Sequence, residues 1–157
     1  MKNTRNKKTG VFIMTNKPLL VILAVAFSLI LSMPAYCWDH DDNIEKAVRD
    51  FKGSHKESGM SLMRSQVSGC YKSALKTKNM KKFEYCAAYD SSAFFLDNQM
   101  VKKMNFPPQE YFVLESVSKR IEDGLAALGY PENKRGVEAK FIADTTSKWF
   151  NAVFENY

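Results

Sequence analysis

Apolar residues recur along this chain at helical spacing, and no segment sustains the two-residue alternation of a half-buried strand. Ile44, Ala47, Val48 and Phe51 form a first stripe. Asp39, Asp41 and Asp42 precede it and Lys46, Arg49 and Lys52 follow, the order that a helix dipole favours. This predicts a short helix ended by Gly53, with 54–59 as a linker. Met60, Met63, Val67, Cys70 and Ala74 make a second stripe, and Cys86, Tyr89, Ala93, Leu96 and Met100 a third. The polar Lys76-Thr77-Lys78-Asn79 between them suits a turn, so 58–103 reads as an antiparallel helical hairpin. Asn105-Phe106-Pro107-Pro108 is the clearest breaker, its second proline placed to open a helix. Phe112, Val113, Val117, Ile121, Leu125 and Leu128 mark a fourth helix, closed by Gly129 and Pro131. Val137, Phe141, Ile142, Trp149, Val153 and Phe154 mark a last one over about 132–155. The fold class is therefore all-α: a small helical bundle of four long helices plus a short N-terminal helix.

Residues 18–38 carry no charge and follow a leader containing Lys2, Arg5, Lys7, Lys8 and Lys17. Small residues at Ala35 and Cys37 occupy the positions that a signal peptidase reads, with cleavage before Trp38. The expectation is a signal peptide over 1–37 and a helical domain over 38–157. The apolar run 19–33 falls short of the ~20 residues needed to span a bilayer, which favours cleavage over a retained anchor. If uncleaved, this segment would be the chain's contact with a membrane. A start at Met14 would leave the shorter leader Met14-Thr15-Asn16-Lys17, and Pro34-Ala35-Tyr36 before Cys37 lacks the lipoprotein pattern.

The leader also accounts for the basic character. The whole chain has 23 basic and 17 acidic residues, but five of the basic ones and none of the acidic ones precede Trp38. The domain is thus nearly neutral, and no nucleic-acid partner is expected. Lys76, Lys78, Lys81 and Lys82 read as a solvated turn tip.

With Cys37 removed, Cys70 and Cys86 remain as an even pair in an oxidising compartment. Each lies six residues from the predicted turn, about 9 Å along its helix. Both sulfurs fall at one depth on facing stripes, which predicts a Cys70–Cys86 disulfide. There is no Cys-x-x-Cys motif, so a redox role has little support.

Asp90 and Asp97 are the polar residues that matter most. With Phe83, Ala87 and Phe94 they share one face of the third helix, where a carboxylate is costly unless paired. One reading is a paired-carboxylate site, serving as an acid/base couple or a cation ligand set. The other, favoured, reading has Asp90 meet a buried arginine, Arg120 or Arg64, or cap a neighbouring helix. His40 sits in Asp39-His40-Asp41-Asp42, which could catch a metal but reads as a solvated end, and His55 falls in the linker. No His-Glu-x-x-His, Gly-x-Ser-x-Gly or calcium-loop pattern occurs, so neither a metal nor an organic cofactor is expected. Gly124 inside a strong helix points to close helix packing or to a groove lined by Tyr111 and Phe112. The pairs Phe94-Phe95 and Trp149-Phe150 either straddle core and surface, where an exposed member would mark a partner site, or have both rings buried against adjacent helices.

Cys70-Tyr71-Lys72-x-Ala74, Cys86-Ala87-x-Tyr89-Asp90 and Asn105-Phe106-Pro107-Pro108-x-Glu110-Tyr111-Phe112 resemble small exported, two-cysteine helical proteins of alphaproteobacteria that remain uncharacterised. That resemblance implies export and a helical fold, and it carries no functional residue. The function expected is a periplasmic or secreted binding protein for another protein or envelope component. The alternatives are a small envelope hydrolase using Asp90 with a second carboxylate, and a secreted factor acting on another cell.

Overall fold

The computed structural model describes residues 38–155, and the segment 1–37, expected to be a signal peptide, lies outside the described residues. Five α-helices account for most of the described chain, with no strand among the described residues. They are α1 (His40–Ser58), α2 (Met63–Lys76), α3 (Met80–Met104), α4 (Leu114–Ala127) and α5 (Glu132–Phe154).

Asp39 caps α1, its carboxylate accepting from the Asp42 amide at 3.1 Å. The helix runs 19 residues, through Gly53 and the segment expected to be a linker. A Cβ at Gly53 would meet nothing within 4 Å, so this glycine costs only the usual ~1 kcal/mol of helix propensity. The stop comes at Gly59, whose φ of 64° supplies the left-handed turn that other residues resist. A 3₁₀ turn, Met60–Leu62, then leads into α2.

The α2–α3 turn follows the sequence reading. Lys78 takes a left-handed conformation, and the Asn79 side chain caps α3 by accepting from the Lys82 amide at 2.9 Å. Cys70 and Cys86 are bonded with their Cα atoms 5.6 Å apart, within the usual range for a bridge. After α3, Pro107 and Pro108 lie in an extended loop rather than at a helix start. Phe112 enters the core from the 3₁₀ turn Glu110–Phe112, and α4 begins two residues later at Leu114.

The 25-residue α3 is the axis of the bundle, packed against α1, α2, α4 and α5. The core gathers Ile44, Phe51, Met63, Phe83, Leu125, Ile142 and Phe150, with Phe150 stacked on Phe154 at 4.3 Å. Because α3 is enclosed on several sides, its polar residues are enclosed too: Glu84, Asp90, Ser91, Ser92 and Asp97 are all buried. No described helix is long and apolar enough to cross a membrane.

Candidate functional site

Asp90 and Glu84, six residues apart on α3, point about 120° apart at 100° per residue, so each serves a different interface. Asp90 faces α2 and α4. Its carboxylate accepts two bonds from Arg120, from Nε at 2.9 Å and Nη2 at 2.9 Å, and a third from the Tyr71 hydroxyl at 3.2 Å. Of the two arginines expected as partners, Arg120 is therefore the one that engages it. Arg120 also donates to the Tyr111 carbonyl at 2.8 Å, and its guanidinium lies 3.9 Å from the Tyr111 ring centroid. Arg64 stands over the same ring at 5.1 Å. Burial pushes the Asp90 carboxyl above its ordinary pKa, and the bonds from Arg120 and Tyr71 only partly pull it back. The Tyr71 hydroxyl is pushed well up, first by burial and then by the Asp90 charge.

Asp97 has another task. It accepts the Gln109 amide at 3.1 Å and ties the proline loop to α3. Two helical turns, about 10 Å of axial rise, separate it from Asp90. The two carboxylates thus meet different partners and do not converge on one reacting position.

Glu84 faces α1. It is fully buried and accepts from Trp38 Nε1 at 2.8 Å and from Asn43 Nδ2 at 2.7 Å, both on Oε1. Its Oε2 meets His40 Nδ1. His40, expected as a solvated end, is the first residue of α1 and is held between Glu84, the Trp38 ring at 4.8 Å and the edge-on Phe141 ring at 5.8 Å. Glu138 of α5 brings a second carboxylate, so that ligand-type atoms of His40, Glu84 and Glu138 lie within 4.8 Å of one another. The Tyr130 hydroxyl donates to Glu138 at 2.8 Å. Glu84 and Glu138 went unnoticed in the sequence. The available signal was that 83–101 contains just three charged residues, Glu84, Asp90 and Asp97, all acidic and all on a helix with apolar faces.

Two surface depressions lie beside these residues. One, of about 380 Å³, is lined by Tyr71, Tyr111, Arg120, Asp123 and Gly124. Gly124 is a close-packing position, since a Cβ there would fall 2.1 Å from the Phe83 ring, and it borders this depression beside Tyr111, whereas Phe112, expected to line a groove with it, is buried in the core. The other is an open groove of about 420 Å³ between α3, α4 and α5. Phe94 and Phe95 are half-buried on its α3 side, Leu114, Val117 and Ile121 line the α4 side, and Gly136, Ala139 and Ala143 the α5 side. Glu122, Lys140 and Asp144 form its charged rim, with Lys140 bonded to Asp144 at 2.6 Å. Of the second aromatic pair, Phe150 is buried while the Trp149 indole donates to Asp41 at 3.1 Å.

No protein-family model matches this chain, and no curated protein or solved structure does either.

Proposed function

We propose that this chain is an exported helical binding protein that receives an apolar segment of another envelope polypeptide in the groove between α3, α4 and α5. The observation that carries this reading is the groove itself. Its aromatic floor is half-open, and Leu114 at its lip is 62 % exposed. Small residues at 136, 139 and 143 leave room for a helix or an extended strand to lie close. Lys140 is already paired with Asp144, so Glu122 is the rim charge left to attract, and the occupant suited to it carries a lysine or arginine beside its apolar anchors. The uncharged run before Trp38 and the Cys70–Cys86 bridge support export.

A photoreactive residue placed at Leu114 of the exported protein tests this, with Lys72 on α2 as the control position. The expected outcome is a mature chain beginning at Trp38 and one discrete adduct from Leu114 alone, mapping to an apolar segment with a basic neighbour. Leu114→Asp should weaken that complex more than about tenfold, the worth of one buried leucine, and leave the melting temperature unchanged. Equal adducts from Lys72, or undiminished binding by L114D, would refute the reading.

A further inference from the structure

We infer that His40, Glu84 and Glu138 form a binding site for one divalent transition-metal ion of the zinc class, joining α1, α3 and α5. An imidazole nitrogen and two carboxylate oxygens are the donor set that such ions take, and three protein ligands leave a fourth position open.

Three features separate this cluster from a chance gathering of acids. First, Glu84 is completely buried, yet its Oε1 is satisfied by two neutral donors, Trp38 and Asn43, while Oε2 is turned to His40. Neutral donors fix the carboxylate's orientation without neutralising its charge, which is how the partners of metal ligands act. Second, Glu138 is oriented in the same way by the Tyr130 hydroxyl. Tyr130 is positioned in turn by the turn after α4, where its carbonyl accepts from Arg135 Nε at 2.9 Å. Third, the charges do not balance. Among the described residues no lysine or arginine pairs with Glu84 or Glu138. Two carboxylates this close repel one another, and one imidazole supplies at most a single positive charge. A divalent cation supplies two.

The spacing suits the ion after a small closure. Tetrahedral zinc with bonds near 2.0–2.2 Å sets its ligand atoms about 3.4 Å apart, against separations of up to 4.8 Å here. Glu84 is locked by its donors, so the movement falls to Glu138, which is only half-buried. The site stands on a different face of α3 from the Asp90–Arg120 pair, about 120° round the helix, and is independent of the groove reading.

The test uses the exported, disulfide-bonded protein stripped with a chelator and dialysed against Zn²⁺, with Mn²⁺ as a second probe. One zinc per chain is expected, together with a raised melting temperature and an X-ray absorption shell of nitrogen and oxygen without sulfur. Glu138→Gln should weaken zinc binding by about a hundredfold or more. It should leave the metal-free melting temperature unchanged or slightly higher, because a repulsive charge is gone. Tyr130→Phe should weaken binding about tenfold, as loss of an orienting bond does. Absence of stoichiometric binding of either metal would overturn the assignment. So would undiminished binding by E138Q, which would place the ion on His40 with the exposed Asp39 and the half-buried Asp41 instead.

Discussion

Asp90→Asn is the substitution that separates a structural carboxylate from a catalytic one, and the geometry sets its size. Both Asp90 oxygens are acceptors: Oδ1 takes Arg120 Nη2, and Oδ2 takes Arg120 Nε and the Tyr71 hydroxyl. An asparagine has one oxygen, so its NH₂ must face at least one of these donors. The Asp90 side chain is fully buried and that of Arg120 only 22 % exposed, which leaves water little access to the orphaned group. An unsatisfied donor in such a place costs about 1–3 kcal/mol. Arg120 keeps its Tyr111 carbonyl and ring contacts, so we expect a loss near 2 kcal/mol, or roughly 8 °C in melting temperature for a domain of this size. The double variant Asp90→Leu with Arg120→Met removes both charges and keeps volume, and should recover most of that loss.

The pH dependence has a definite sign. Because burial holds the folded pKa of Asp90 above its ordinary value, the folded state holds this proton more tightly than the unfolded state does. The cost of its ionisation is therefore present at neutral pH and is relieved as pH falls through the folded pKa. A protonated carboxyl still presents two acceptor oxygens, which an amide does not. The gap between wild type and D90N should thus widen on acidification, read by thermal melts between pH 7 and pH 4. A gap under about 0.5 kcal/mol, or one that closes with acid, would refute the donor-clash argument.

Two further outcomes follow from the packing. Reducing Cys70–Cys86, or replacing both with Ala, frees a loop with a sequence separation of 16 and should lower stability by about 3 kcal/mol, near 12 °C in a melt; a shift under about 3 °C would mean that the hairpin stays closed in the unfolded chain. Gly124→Ala would gain up to ~1 kcal/mol of helix propensity but set a methyl 2.1 Å from a ring carbon of the fully buried Phe83, so a net loss of about 1–2 kcal/mol is expected by chemical denaturation, relieved by adding Phe83→Leu. Stabilisation by G124A alone would contradict the close packing.

The helices were legible because each has a long apolar stripe and most have sharp stops. The disulfide was legible because two stripes and a turn fix its register. Two boundaries were not. Gly53 and Gly59 look alike in sequence, and only the solvent exposure of the first and the left-handed backbone of the second distinguish a tolerated glycine from a cap. The double proline announced a break correctly, but the following segment spends Phe112 on the core before α4 begins, a choice set by tertiary contact rather than propensity.

The polar clusters divide along the same line. Periodicity put Asp90 on an apolar face and so demanded a partner, and Arg120 was one of the two arginines expected to supply it. Periodicity could say nothing of this kind for His40. Its acidic neighbours Asp39, Asp41 and Asp42 describe a solvated helix start, and its actual partners lie 44 residues away on α3 and further still on α5. A charged residue's local sequence reports how its own helix begins or turns, whereas its chemistry is decided by what the bundle lays across it. On α3 that distinction has a simple sequence trace. Between its lysine-bearing ends, over 83–101, this enclosed helix carries only acidic charges, at 84, 90 and 97, and these must find positive or donating partners on other segments. Arg120 meets that demand for Asp90 and the Gln109 amide meets it for Asp97. For Glu84 the partners are neutral groups and one imidazole beside a second carboxylate, and it is this remaining imbalance that makes the α1–α3–α5 junction, rather than the aspartates, the place to look for a bound cation.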